Sequence, residues 1–110
     1  MTYKGGCHCG RIAFEVEGNI EQVMDCNCSI CGKRGYLHWF VPRDKLSLHT
    51  PESELATYTF KSGKLKHHFC PNCGCAPFVF GPDGASINAR CLEGVDLAEL
   101  KVTQFDGRSL

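Results

Sequence analysis

The sequence predicts a small, mainly β domain of short antiparallel sheets, stapled by zinc and carrying little helix. Three observations predict it. Apolar residues alternate with period two in several short segments, turn residues separate those segments, and eight of the nine cysteines fall at tight Cys-x-Cys and Cys-x-x-Cys spacings. The length, 110 residues, predicts one domain spanning residues 1–110. An apolar fraction of 43% is that of a globular chain, but a core of this size stabilises only modestly, so metal staples would matter.

The elements follow in order. In RIAFEVEG, Ile12, Phe14 and Val16 alternate with Ala13, Glu15 and Glu17, as in a half-buried strand. GYLHWFVP is rich in aromatic and branched residues and stops at Pro42. PRDKL reads as one helical turn. LATYTF and LKHHF flank KSGK, where Gly63 supplies a turn, so residues Leu55 to Phe69 read as a hairpin. PFVF, the turn GPDG and SINARC read as another, with Pro77 at a strand start or edge because it cannot donate to a ladder. DLAEL, after Gly94, reads as a short helix with Asp96 near its start.

Charge and compartment narrow the function. Twelve Lys and Arg balance twelve Asp and Glu, and the basic surplus expected of a nucleic-acid module is absent. No apolar run approaches the ~20 residues that span a bilayer. The opening MTYKGGCHCG has no apolar h-region, and the odd cysteine count suits metal better than a disulfide framework. A reducing cytoplasm and a small-molecule or protein partner are expected; the oligomeric state is not legible.

The thiols form two sets. Cys7 and Cys9 of CHC, with Cys70 and Cys73 of CPNCG, supply four thiolates for one tetrahedral structural zinc. In an extended strand, residues two apart share a face with Cα atoms ~7 Å apart, so Cys7 and Cys9 are expected to reach one ion from a strand. A redox role for Cys70 and Cys73 would want a βαβ context, which the pattern does not offer. The second set is Cys26, Cys28 and Cys31 of CNCSICGKRG, three thiols in six residues. Cys75, Cys91 or one of His8, His38, His67 and His68 could complete its tetrahedron. Alternatively the fourth position is open, as in catalytic zinc sites. An open zinc held by three thiolates carries −1 by formal count. It is a weak generator of hydroxide but well suited to holding an incoming thiol as thiolate.

GGCHCGRIAFEV, CNCSICGKRG, VPRDKLSL, LATYTF and HHFCPNCGCAPF, in this order, resemble the glutathione-dependent formaldehyde-activating enzyme family, which is grouped with centromere protein V. The similarity runs from about Tyr3 to Leu110, and its tail looks like the compact members. The resemblance implies a β-tent fold with two zinc ions. It places the structural zinc on Cys7, Cys9, Cys70 and Cys73, and the catalytic zinc on Cys26, Cys28 and Cys31. The activity it implies is a carbon–sulfur lyase reaction, the reversible joining of glutathione and formaldehyde as S-hydroxymethylglutathione. The chain departs from the family in being shorter than the founding enzymes, in lacking a dedicated glutathione-binding segment and in placing Cys75 after CG.

Around the second set, Lys33 and Arg34 could offset its charge or hold an anionic substrate, or simply face water. Tyr36 and His38 share one strand face, opposite Leu37 and Trp39. His67 and His68 alternate, so at most one can face a metal site. Arg90 could bind a substrate carboxylate or make a structural contact. The competing functions are a non-catalytic zinc-stabilised binding module and a thiol redox or zinc-buffering protein.

Overall fold

The computed structural model describes residues 1–109. Its strands are β1 (Thr2–Gly6), β2 (Ala13–Glu17), β3 (Gln22–Cys26), β4 (His38–Val41), β5 (Leu46–Leu48), β6 (Ala56–Tyr58), β7 (Lys66–Phe69), β8 (Phe78–Gly81), β9 (Gly84–Asn88) and β10 (Lys101–Phe105). One four-residue helix, α1 (Cys31–Arg34), lies between β3 and β4. The mainly β expectation therefore holds. No helix among the described residues is long and apolar enough to cross a membrane.

The strands form a three-stranded sheet, β1-β2-β5, and a seven-stranded sheet, β10-β3-β4-β9-β8-β7-β6. Period-two alternation builds the interface between them. Ile12, Phe14 and Val16, each at most 1% exposed, pack with Leu37 and with Trp39, Val41, Phe78 and Ile87 of the larger sheet. The rings of Phe14 and Phe78 meet edge to face at 5.4 Å, and those of Tyr3 and Trp39 at 5.6 Å.

Both hairpins form. β6 pairs β7 with Tyr58 opposite His67, and β8 pairs β9 through a turn at Pro82 and Asp83 that brings Gly81 opposite Gly84. Pro77 is buried just before β8, where its missing N–H costs no ladder bond. PRDKL and DLAEL become single 3₁₀ turns, Arg43–Lys45 and Leu97–Glu99, the latter capped by Asp96 Oδ1 accepting from the Ala98 N–H at 3.0 Å.

Three expectations are corrected. The sheets are not wholly antiparallel: β10 runs parallel to β3, Phe105 opposite Cys26. The long crossover from β9, through two 3₁₀ turns, returns the chain in the direction that parallel pairing needs. The strand in GYLHWFVP is shorter than its pattern, starting at His38, because Tyr36 and Leu37 still lead out of α1. Cys7 and Cys9 lie outside any strand, on the turn that follows β1, where the Gly10 N–H donates to the Cys7 carbonyl at 3.3 Å.

The seven-stranded sheet has a second face. His38 and Phe40 of β4, His67 of β7, Val79 of β8 and Ser86 of β9 point away from the main core. A smaller buried group of Cys26, Cys31, Tyr36 and Val79 packs on this side.

Candidate functional site

Cys7, Cys9, Cys70 and Cys73 place all four sulfurs within 4.8 Å of one another. Cys7 Sγ lies 3.7 Å from Cys9 Sγ, which lies 3.6 Å from Cys70 Sγ. Four sulfurs ~2.3 Å from a zinc ion would be separated by tetrahedral edges of ~3.8 Å, whereas a disulfide needs ~2.05 Å. The donor set therefore fits a closed tetrahedral ion. Backbone N–H groups turn toward the sulfurs: Ile12 donates to Cys7 at 3.2 Å, and Asn72 and Cys73 to Cys70 at 3.4 Å. The N–H groups of Cys75 and Cys9 bring the Cys73 thiol down to about 5, while burial raises Cys7 to about 11.

Cys26, Cys28 and Cys31 also lie within 4.8 Å of one another. Cys26 ends β3, Cys28 is on the following turn and Cys31 opens α1. The Gly32 N–H donates to the Cys28 carbonyl at 2.9 Å, and Gly35 closes α1 with φ of +68°, a left-handed turn that favours glycine. This compact winding lets six residues supply three converging sulfurs. Burial, then the neighbouring Cys28, pushes the Cys31 thiol far up. Cys28 is lowered: burial opposes this, but the N–H and thiol of Cys31 outweigh it. Without a cation, three charges cannot gather in this space. With one they can, because a coordinated thiol is deprotonated outright.

No other cysteine among the described residues joins this group. Cys91 Sγ contacts the Ala76 carbonyl at 4.0 Å, and burial, followed by the charges of Cys75, Cys7 and Cys73, raises it to about 11. It therefore keeps company with the first cluster. Cys75 is not one of the four converging sulfurs, its carbonyl accepting from the Cys70 N–H at 2.9 Å. His8 is exposed. Of the candidate histidines, His38 reaches the second group, with Nε2 3.1 Å from Cys31 Sγ and Nδ1 2.5 Å from Ser86 Oγ. Burial pushes His38 down to about 4, with His67 adding repulsion, so the ring is neutral at pH 7.

The second group opens into a cavity of about 930 Å³, lined by all three of its cysteines and by none of the first group. His38, Ser86, His67 and Val79 line it, Phe40, Phe60, Leu65 and Phe105 add apolar surface, and Lys61, Asp83 and Arg108 supply charge. The C-terminal segment closes against the cysteine loop. Asn27 donates to the Phe105 carbonyl at 3.2 Å and to Asp106 Oδ1 at 3.0 Å, and the Arg108 N–H donates to Asn27 Oδ1 at 2.9 Å. Gly107 is packed so tightly that an added Cβ would stand 2.7 Å from Cys26 Sγ and 3.0 Å from Cys28 Cβ.

The flanking cations are structural. Arg34 donates to Tyr36 Oη at 3.0 Å and lies 5.3 Å over the Phe69 ring, while Arg90 Nε donates to the Gly35 carbonyl at 3.2 Å. Lys33 is exposed and does not line the cavity. Sequence reasoning missed Ser86 and the C-terminal wall. The alternation of SINARC against HWFV held the signal for Ser86, but only the register Phe40 opposite Ser86 puts it beside His38.

A mainly β chain with one self-contained set of four thiols and a second set of three facing a cavity defines a class of cysteine-rich β domain whose thiol groups could hold metal ions. The chain belongs to the glutathione-dependent formaldehyde-activating enzyme family, whose sequence profile matches residues 2–99. It is 33% identical over 92 residues to a Halomonas elongata protein provisionally named a glutathione-dependent formaldehyde-activating enzyme. The match covers 74% of this chain but 58% of that relative's length. The crystal structure of a Rhodobacter sphaeroides protein superposes with a TM-score of 0.80 at 30% identity, covering 91% of this chain and 99% of that one. The resemblance read from the motifs is thus borne out at the level of family.

Proposed function

We propose that this chain is a zinc-dependent enzyme of the carbon–sulfur lyase type, forming or cleaving thiol–aldehyde adducts. Its pair is glutathione and formaldehyde, joined as S-hydroxymethylglutathione, or a related thiol and aldehyde. The observation that carries this reading is the three-thiol group facing a cavity of about 930 Å³, within the size range of small-molecule sites. Family membership supports the same chemistry.

Two zinc ions per chain are proposed, a structural one on Cys7, Cys9, Cys70 and Cys73 and a catalytic one on Cys26, Cys28 and Cys31. The second would supply a Lewis-acid position that keeps a substrate thiol deprotonated. The chain's own groups shape that position. His38, held by Ser86, orients the Cys31 sulfur; a thiolate there only accepts, so the ring donates from Nε2 and accepts the Ser86 hydroxyl at Nδ1. In the joining direction a sulfur–carbon bond forms from the thiol's electron pair and the carbonyl π pair moves to oxygen. That oxygen gains one proton, balancing the one the thiol released; cleavage is the reverse.

The reading extends to one domain over residues 1–110, acting in the cytoplasm on small molecules, with no nucleic-acid or membrane partner. Metal analysis and turnover test it together. The expected result is two zinc ions in the wild type, one in Cys26→Ala, and loss of at least a hundredfold in kcat/KM with the fold retained. A Cys26→Ala variant that keeps its activity sinks the reading.

A further inference from the structure

Five histidines occur in the chain, and three of them lie buried in the large sheet. Two have partners. His38 is held by Cys31 and Ser86, and His68 Nδ1 meets Thr57 Oγ1 at 2.9 Å. His67 is different. It is 3% exposed, and both of its ring nitrogens lack a hydrogen-bond partner, the only buried side-chain nitrogen or oxygen atoms among the described residues in that condition. Buried polar groups are almost always paired, so an unpaired one calls for an explanation.

Its position supplies one. His67 lines the cavity that Cys26, Cys28 and Cys31 also line. Tyr36 neighbours both histidines, its ring lying 4.9 Å from His38 and 6.4 Å from His67. Two apolar side chains stand beside His67: its ring is 5.6 Å from Phe60, and Val79 is opposite it in the ladder. At the mouth, Phe40, Leu65 and Phe105 keep 60%, 51% and 39% of their surface in water. Large apolar side chains with a few polar groups among them, here His67 beside His38, Ser86 and the charged Lys61, Asp83 and Arg108, are the usual make-up of a small-ligand site, and the apolar share suits a ligand with an apolar body. Formaldehyde has no such body.

Resting on the lyase reading, we propose that His67 binds the oxygen of the aldehyde half of the substrate, and that this aldehyde carries an apolar body seated against Phe40, Phe60, Leu65 and Val79. A neutral imidazole has one N–H and one lone pair, so it donates to a carbonyl oxygen and equally accepts the hydroxyl of the adduct. No proton changes hands at His67. Burial, then Arg34 and His68, lowers its affinity for protons, which keeps the ring in this neutral form at pH 7.

The test uses the zinc-loaded protein with unreactive carbonyl probes, benzamide and formamide, and with toluene as a ring lacking oxygen. Calorimetric titration is expected to show benzamide binding at least tenfold tighter than formamide. His67→Phe is expected to weaken benzamide about tenfold while leaving toluene within twofold, and His67→Gln to restore most of the loss. In the wild type, the His67 ring nitrogen resonances should shift on adding benzamide and stay in place with toluene. This spectrum needs no variant and decides the hydrogen bond even if His67→Phe does not fold. Benzamide that leaves those resonances unmoved, or binds no better than formamide, overturns the proposal. Since benzamide forms no sulfur–carbon bond, such a failure is distinct from failure of the lyase reading, which shows in the turnover of Cys26→Ala.

Discussion

The two cysteine clusters use the same donor atom in opposite ways. The first draws on two turns that lie far apart in the chain, with Cys9 and Cys70 separated by 61 positions, and its four sulfurs complete one another. It ties the end of β1 to the end of β7, and so joins an edge strand of the small sheet to the large one. The second draws on six consecutive residues, links no distant segments, and faces a cavity. A metal held by distant ligands removes more freedom from the unfolded chain than one held by a local loop. On the two-zinc proposal, ligand spacing and the space beside the ligands, more than the thiols themselves, separate a staple from a site.

The sharpest way to break this contrast is to remove one thiol from each cluster. On the two-zinc proposal, Cys70→Ala leaves three ligands to hold two segments together. The loss approaches the roughly 10 kcal/mol that a structural zinc contributes, more than a domain of this size can spare. Circular dichroism followed on heating should show no cooperative transition. Cys26→Ala should instead melt cooperatively within about 3 kcal/mol of the wild type, a loss typical of one buried contact. Equal unfolding of both variants would erase the distinction.

Gly107→Ala probes the cavity cluster alone. The added methyl group meets Cys26 Sγ at 2.7 Å, and the C-terminal wall or the cysteine loop has to shift. A cost of about 1–3 kcal/mol is expected for such overpacking. Competition with a chelator should show the second metal leaving more readily while the first is unchanged. Ser86→Ala removes the partner of His38 Nδ1 and should cost about 1 kcal/mol in stability. A severalfold drop in kcat, with both metals retained, would locate its role in orienting His38.

The smallest effect is a pH dependence. Burial holds the folded-state pKa of His67 below the ordinary histidine value of 6.5, so below that pH the unfolded chain binds more protons than the folded one. Its neutral burial contributes stability that is complete above pH 6.5 and is lost as pH falls through the folded value. The melting temperature of the wild type should therefore drop more between pH 7 and pH 5.5 than that of His67→Phe. Parallel curves would show that His67 does not titrate differently in the two states.

Much of this was legible before folding. Ile12, Phe14 and Val16 announce a strand with one buried face because a pleated strand turns alternate side chains to one side. Gly63, Pro82 and Asp83 mark turns because their backbone preferences are local. Cys26, Cys28 and Cys31 form a group because six residues cannot separate far, and the family of the chain is carried by such spacings. The strand proposed for Cys7 and Cys9 failed for the complementary reason: a Cys-x-Cys pair converges from a strand or a turn alike, and the neighbouring glycines left the choice to the turn after β1.

What the sequence determined by itself is thus what short range decides: strand faces, turns, and which thiols travel together. The tertiary structure decided the rest. It kept Cys91 away from the second cluster, brought His38 to it, left His67 alone in the cavity wall and laid the C-terminal segment beside Cys26. Those placements depend on sheet order and on the parallel docking of β10 against β3, which pair residues many positions apart. Local propensity carries no information about such pairings; they are settled only when the whole sheet packs.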